Sequence, residues 1–297
     1  MKYIFFGSPE FAAIVFRKLV GSGFTPAAVV CSPDRPVGRK KIITPPPVKV
    51  LAEKHGITVL QPEKLENLSP ATHDLLHTTY DFFIVAAYAK IIPKEILDIP
   101  RLGTIGVHPS LLPKYRGASP IQSAILNGEE TTGVTLYMVD EKVDHGPTIA
   151  YRETPIVNRD TYETLLKKLA EIGGELLAET LPKFLKGEIK PETQNEAEAT
   201  LTKKFKTEDG LVEEKKLKEA ESGNYELAAA IDRKIRALNP DPGVWTLRQG
   251  HSAELSRSPQ GRQQRMKLLE AEIKDNKLVL KKIQMEGKRP VTPSVSL

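Results

Sequence analysis

The chain of 297 residues has a single cysteine, Cys31. No internal disulfide can form, so the fold must hold itself by burial, and a reducing, cytoplasmic setting fits. Runs of about 18 apolar residues are missing, which excludes a membrane-spanning helix. The apolar start, Met1–Phe6, meets Gly7 too soon for the core of a signal peptide. It reads instead as a first strand. Metal-ligand spacing is also missing. The six histidines (His55, His73, His77, His108, His145 and His251) form no zinc pattern with cysteine. His73 and His77 lie at i, i+4 but lack the glutamate that a zinc-protease helix carries between them. Gly7-Ser8-Pro9-Glu10-Phe11 is not the G-x-G-x-x-G turn that lets a pyrophosphate approach a helix N-terminus. This argues against a nicotinamide dehydrogenase. No internal repeat is present.

What is present is ordinary for a globular protein: 40% apolar and 27% charged residues. The length suggests two domains. Charge divides unevenly, because residues 1–200 carry 23 Lys+Arg against 24 Asp+Glu and residues 201–297 carry 20 against 14. The whole net charge of +5 thus lies in the last third. A basic module beside a neutral one suits a polyanion partner. A merely solvated basic surface explains the charge equally well.

Short apolar runs alternate with helical patterns over the first 150 residues. Tyr3–Phe6, Ala27–Cys31, Asp81–Ala87, Thr104–His108 and Val134–Val139 read as strands. Asp81–Ala87 (DFFIVAA) shows no polar alternation, as expected of a strand buried on both faces of a parallel sheet. Glu10–Val20, Val48–His55 and Ser119–Leu126 read as helices, the first with Pro9 in its first turn and Ser8 as its cap. This alternation predicts a doubly wound, mostly parallel α/β sheet. A long amphipathic helix is predicted over Thr161–Leu185, interrupted by Gly173-Gly174. The domain boundaries follow: a first domain over 1–189, a polar, aperiodic linker over 190–204, and a basic module over 205–297. In that module Glu213–Ile235 reads as helix, Met266–Ile273 and Lys277–Ile283 as strands, and Ser256–Gln264 as a flexible loop.

The densest chemical signal is Gly103–Gly117, GTIGVHPSLLPKYRG. A strand ends at His108, and ligands of open α/β sheets sit outside the carboxyl ends of strands. A second segment, Met138–Pro147 (MVDEKVDHGP), also follows a strand and holds Asp140 and Asp144. Asp144 beside His108 would fix the imidazole's tautomer and favour its protonated form. Such a pair can donate to a developing oxyanion and manage a proton. The residues alone leave the bland alternatives open: a strand-end histidine is often structural, and many aspartates after strands only cap a turn.

These motifs, together with GSPEF (Gly7–Phe11), SPDRPVGRKK (Ser32–Lys41), PPPVKVLAEKHGI (Pro45–Ile57) and VAAYAKIIPKEIL (Val85–Leu97), resemble the folate-dependent formyltransferase family. The SLLPKYRGASPIQ block marks the group. The PDRPVGR loop and, more weakly, IRALNPDPGVWT (Ile235–Thr246) resemble its methionyl-tRNA branch. The resemblance is dense over residues 1–200 and sparse beyond. It implies a Rossmann-like domain followed by a smaller OB-like β-barrel, here reduced. The implied reaction moves a formyl group from 10-formyltetrahydrofolate, a cosubstrate, to the α-amine of methionyl-initiator tRNA, with no metal and no membrane, in a cytoplasmic monomer. Residue by residue, the catalytic histidine falls on His108 and the aspartate on Asp144. The folate-binding loop falls on Ser110, Leu111, Leu112 and Pro113, with the backbone around Lys90, Ile91 and Ile92 lining the pterin pocket. The tRNA-contacting loop holds Arg35, Arg39, Lys40 and Lys41.

One position departs from the family. Its asparagine, two places before the histidine, is Gly106 here. Losing one oxyanion donor typically lowers turnover about 100- to 1000-fold. Water or a backbone N–H fills the gap, or another side chain does (Asn127 and Gln122 are candidates), or the protein binds without catalysing. A formyltransferase acting on an amino sugar or on glycinamide ribonucleotide would share His108, Asp144 and the SLLP loop, but would not need the basic last third or the PDRPVGRKK loop.

Overall fold

The computed structural model describes residues 1–38, 40–65, 78–249 and 263–293. The chain divides into two compact units. The first holds residues 1–120, 131–155 and 165–202, and the second holds 121–130, 156–164 and 203–297. In chain order the elements are β1 (Tyr3–Gly7), α1 (Glu10–Gly21), β2 (Ala28–Val30), β3 (Arg35–Val37), β4 (Ile42–Thr44), α2 (Pro47–Lys54), β5 (Thr58–Leu60), β6 (Phe82–Ala86), α3 (Lys94–Leu97), β7 (Thr104–His108), β8 (Arg116–Gly117), α4 (Pro120–Asn127), β9 (Thr131–Met138), β10 (Thr148–Pro155), α5 (Tyr162–Leu185) and β11 (Leu201–Thr202). There follow α6 (Glu214–Ser222), α7 (Tyr225–Leu238), β12 (Trp245–Gln249), β13 (Gln263–Lys274) and β14 (Lys277–Met285).

The first unit is built on a seven-stranded sheet ordered β10-β9-β7-β6-β1-β2-β5. From β5 to β7 the neighbours are parallel, while β9 runs antiparallel to β7 and β10 antiparallel to β9. The central strands explain the unbroken apolar runs in the sequence. Ile4, Phe6 and Phe83 pack on one face with Tyr80 and Ile96. On β1 and β6, Tyr3, Phe5, Phe82 and Ile84 are also fully buried, with Phe5 edge-on to Phe16 of α1. A strand covered on both sides cannot alternate with polar residues. Its parallel neighbours bring the carboxyl ends of β1, β2, β6 and β7 to one edge, and His108 is the last residue of β7.

The long helix runs unbroken through Gly173-Gly174. The glycines are there for close approach rather than for a kink. A Cβ on Gly173 would lie 2.9 Å from Val107 Cγ1, and one on Gly174 would lie 2.5 Å from Lys18 Cβ. Any side chain at 174 must push α5 off α1. Gly174→Leu is expected to lower unfolding stability by about 2 kcal/mol, since overpacking outweighs the ~1 kcal/mol of helix propensity regained. Urea denaturation would read it as a lower midpoint.

Two expectations need correction. Ser8 does not cap α1, whose N-cap is Pro9 with no side-chain cap bond. Its hydroxyl instead donates to Ser32 Oγ and accepts from Ser32 N, tying the loop after β1 to the loop after β2. The helix expected over Glu213–Ile235 is two helices. Gly223 takes φ 118°, a left-handed value that suits glycine, and ends α6. Asn224 then caps α7 by accepting from Leu227 N.

In the second unit, α6 and α7 cover a three-stranded antiparallel sheet, β12-β13-β14. Leu217, Ile231, Ile235, Leu238, Met266, Leu268, Leu278 and Ile283 are buried there. Asp275 and Asn276, both with positive φ, make the two-residue turn between β13 and β14. Of the loop expected over Ser256–Gln264, residues 256–262 lie outside the described residues, and Gln263 and Gln264 begin β13. This is a small β unit, with three strands among the described residues.

Candidate active site

Strand register puts the site together. In the β7–β9 pair, Gly106 faces Tyr137 and His108 faces Thr135. Alternate residues share a face, so Gly106, His108, Thr135 and Tyr137 lie on one side of the sheet. The Tyr137 ring occupies the room that Gly106 leaves. A Cβ built on residue 106 would sit 2.2 Å from Tyr137 Cε1. The same ring stands edge-on to the His108 imidazole, centroids 6.4 Å apart.

After β9 the chain makes the Val139–Pro147 loop, closed where Met138 N donates to Pro147 O at 2.8 Å. Gly146 has no room for a side chain, because a Cβ there would lie 1.8 Å from Met138 O. Within the loop Asp140 Oδ2 holds His145 Nδ1 at 2.7 Å. Asp144 takes a left-handed φ of 48°, which aspartate tolerates. That conformation presents its carboxylate to three groups. Oδ2 accepts from Gly117 N at 2.7 Å and lies 3.5 Å from His108 Nδ1. Oδ1 accepts from the Tyr137 hydroxyl at 2.6 Å. Burial first, then the charge of Asp144 and this hydrogen bond, push the Tyr137 phenol well above its ordinary range. It therefore remains an O–H donor at any working pH.

The imidazole is oriented from its other side. His108 Nε2 lies 2.9 Å from the carbonyl oxygen of Tyr115, which can only accept, so Nε2 carries a proton. Tyr115 itself holds φ at 61°. That is an uncommon conformation for a bulky residue, and it costs of order 1 kcal/mol or more. The strain is held by Tyr115 N donating to Thr200 Oγ1 and Arg116 N donating to Thr200 O. The contact between Nδ1 and Asp144, at 3.5 Å, is an ion-pair distance and longer than a good hydrogen bond. Such contacts often tighten only when substrate is bound.

A buried scaffold lies behind the aspartate. Gln194 donates to both Asp144 O and Gly146 O. Its own carbonyl accepts from Arg116 Nε and Nη2, and Arg116 also binds the Glu196 carboxylate. That hydrogen bond holds the Glu196 carboxyl below its usual value. Arg116, Gln194 and Tyr137 were not singled out from the sequence as site residues. Gln194 sits in a polar, aperiodic stretch that gives no periodic signal.

The remaining sequence-derived residues fall as follows. Ser110 is buried; its hydroxyl donates to Lys114 O, and its carbonyl accepts from Thr135 Oγ1. Leu112 N donates to the same Thr135 hydroxyl, and Leu111 lies against Gly133. The 110–113 loop, with Pro113, is thus fastened to β9 beside His108. Lys90 Nζ is spent on the carbonyls of Pro62 and Glu63, Ile92 packs on the core of β1 and β6, and Ile91 is 89% exposed. Directly after them, Lys94 and Leu97 of α3 line a cleft of about 420 Å³. Its other walls are Gly103, Thr104 and residues 138–142. The cleft and the aspartate thus share one loop, whose first residues wall the cleft and whose Asp144 meets His108. Arg35, Lys40 and Lys41 lie on the β3–β4 hairpin, all exposed, and Arg39 lies outside the described residues. Val37, Ile42 and Ile43 of that hairpin are exposed as well. No helix among the described residues is long and apolar enough to cross a membrane.

Residues 1–181 match the family model described as formyl transferase. The methionyl-tRNA formyltransferase of Enterococcus faecalis is 42% identical over 249 residues, covering 84% of this chain and 76% of that protein. The enzyme of the same name from Halalkalibacterium halodurans is 42% identical over 250 residues, covering 84% and 75%. Among solved structures, a 4-N formyltransferase from Francisella tularensis superposes with a TM-score of 0.61 at 17% identity, covering 88% of this chain and 94% of that one. An N-formyltransferase from Helicobacter canadensis, solved with folinic acid and dTDP-3-aminofucose, gives 0.58 at 18%, covering 84% and 89%. At such identities the superpositions speak for the fold alone. The model match over more than half the chain and the 42% identity to curated relatives decide the family: the chain is a member of the formyl transferase family.

Proposed function

We propose that the protein transfers the formyl group of 10-formyltetrahydrofolate to the α-amine of methionine on initiator tRNA. The observation that carries the chemistry is the meeting of His108 and Asp144, 36 residues apart in sequence, at the carboxyl edge of β7. The amine attacks the formyl carbon, a C–N bond forms, and the carbonyl oxygen takes up negative charge. Protonated His108, held through Nε2 by Tyr115 O and paired through Nδ1 with Asp144, sets its positive charge beside that oxygen. The proton released by the attacking nitrogen passes to Asp144, directly or through water. It then leaves with the folate nitrogen as the old C–N bond breaks. The cleft walled by Leu97, Thr104 and residues 138–142 suits a flat bicyclic ring with backbone polar groups to read its edge.

The choice of acceptor is supported by the relatives' names and by charge. The β3–β4 hairpin presents Arg35, Lys40 and Lys41 and exposes apolar residues beside them, and Arg39 belongs to the same stretch of sequence. The excess of cations in residues 201–297 adds to it. Four phosphate contacts imply that tRNA affinity falls about 50- to 150-fold between about 50 and 200 mM salt. Filter binding with methionyl-tRNA measures this, and a flat profile would remove the hairpin from the interface. The function itself is tested with purified protein, formylfolate and three acceptors: methionyl-tRNA, an amino-sugar nucleotide and glycinamide ribonucleotide. Formyl-methionyl-tRNA is the expected product. Transfer only to a sugar or ribonucleotide amine would overturn the reading.

A further inference from the structure

We infer that Tyr137 is a positioning residue for the Asp144 carboxylate, its hydroxyl doing from β9 the ordering that no side chain at position 106 can do. This rests on the formyl-transfer reading given above. Three observations support it. First, the ring and the glycine exclude each other's alternatives, because with Tyr137 in place even a methyl group on residue 106 would lie 2.2 Å from the ring. Second, the two oxygens of Asp144 are held by different donors, Oδ1 by Tyr137 Oη at 2.6 Å and Oδ2 by Gly117 N at 2.7 Å. An aspartate side chain has a broad, two-fold torsion at its carboxylate, so one bond alone leaves the plane free to turn. Two bonds fix it with Oδ2 toward His108. Third, the phenol cannot lose its proton under working conditions, so the donor is permanent.

The hydroxyl has one proton and gives it to Asp144, so it is not at the same time a donor to the formyl oxygen. In the reaction the phenol neither gains nor loses a proton. The new C–N bond forms, the bond to the folate nitrogen breaks, and the proton travels from amine to folate nitrogen through Asp144. Tyr137 keeps that carboxylate aimed. A ring that merely filled the space beside a glycine would do as well without its oxygen.

The test is Tyr137→Phe, assayed by formyl transfer to methionyl-tRNA over a range of formylfolate concentrations, with thermal unfolding measured in parallel. The phenyl ring keeps the packing. Turnover is expected to fall about 10- to 100-fold, as for the loss of one hydrogen bond to a charged group. KM for formylfolate should stay within about threefold. The loss should thus fall on kcat and not on KM, a split that loose packing alone would not give. Unchanged kcat, or a loss that falls on KM alone, would overturn the inference. Should the phenyl variant unfold, Tyr137→3-fluorotyrosine keeps the shape and strengthens donation. Turnover must then change while KM for formylfolate stays put, and an unchanged turnover is again fatal. Wild-type protein that transfers no formyl group would instead sink the underlying reading, and that result is in hand before any variant is made.

Discussion

Asp144→Asn is expected to lower formyl transfer about 10³-fold while the protein remains folded. The amide keeps the shape of the side chain, so Gly117 N still finds an acceptor and the left-handed backbone at 144 is still tolerated. What disappears is the negative charge facing His108 Nδ1. An amide cannot receive the amine's proton. Loss of a positioned acid–base group typically accounts for a factor of about 10² to 10⁴. Single-turnover rates with saturating formylfolate isolate this step from binding and release. An undiminished rate would remove Asp144 from the chemistry.

Gly106→Asn is expected to damage the protein, although it installs the amide that resembles the family pattern. Residue 106 is paired in the sheet on both sides, with Val85 of β6 and Tyr137 of β9, so its backbone has no freedom to withdraw. The new Cβ would lie 2.2 Å from Tyr137 Cε1, a clash that the ring must relieve. The ring must leave, taking its hydrogen bond from Asp144 Oδ1. Overpacking of about 1–3 kcal/mol and a lost hydrogen bond to a charged group of about 1.5–3 kcal/mol act together. We expect a stability loss of about 3 kcal/mol and at least a 100-fold loss of turnover. The double variant Gly106→Asn with Tyr137→Leu makes room for the amide and is expected to recover most of the stability. Such coupling is the signature of residues in contact. A single Gly106→Asn variant as stable and as active as wild type would show that the ring does not occupy that space.

How much of this was legible in the sequence follows from what each signal depends on. DFFIVAA is readable because burial on both faces leaves a local mark, an apolar run without alternation. His108 and Asp144 are readable because one ends a strand and the other follows one, and their meeting follows from the resemblance. Tyr137 is not readable in the same way. Its partnership with Gly106 depends on the register of β7 against β9, two strands joined through α4 rather than by a tight turn. No turn geometry in the sequence fixes that register. Gln194 hides for a different reason. It is a polar residue in a polar stretch, and only the buried guanidinium of Arg116 and the two loop carbonyls it serves make it an interior residue. Ser8 misleads because a serine before a helix normally caps it, while here the hydroxyl is claimed by Ser32 across the sheet edge. Local patterns thus announce elements, and the pairings between distant elements decide which side chains meet.

Single-turnover formyl transfer by His108→Ala, Asp144→Asn and the double variant tests most directly whether imidazole and carboxylate work as one unit. Groups that act together lose their function together, so the double variant should be about as slow as the slower single one. Losses that multiply, each variant adding its full factor to the other, would mean that the two side chains act independently and that their closeness at the edge of β7 does not carry the reaction.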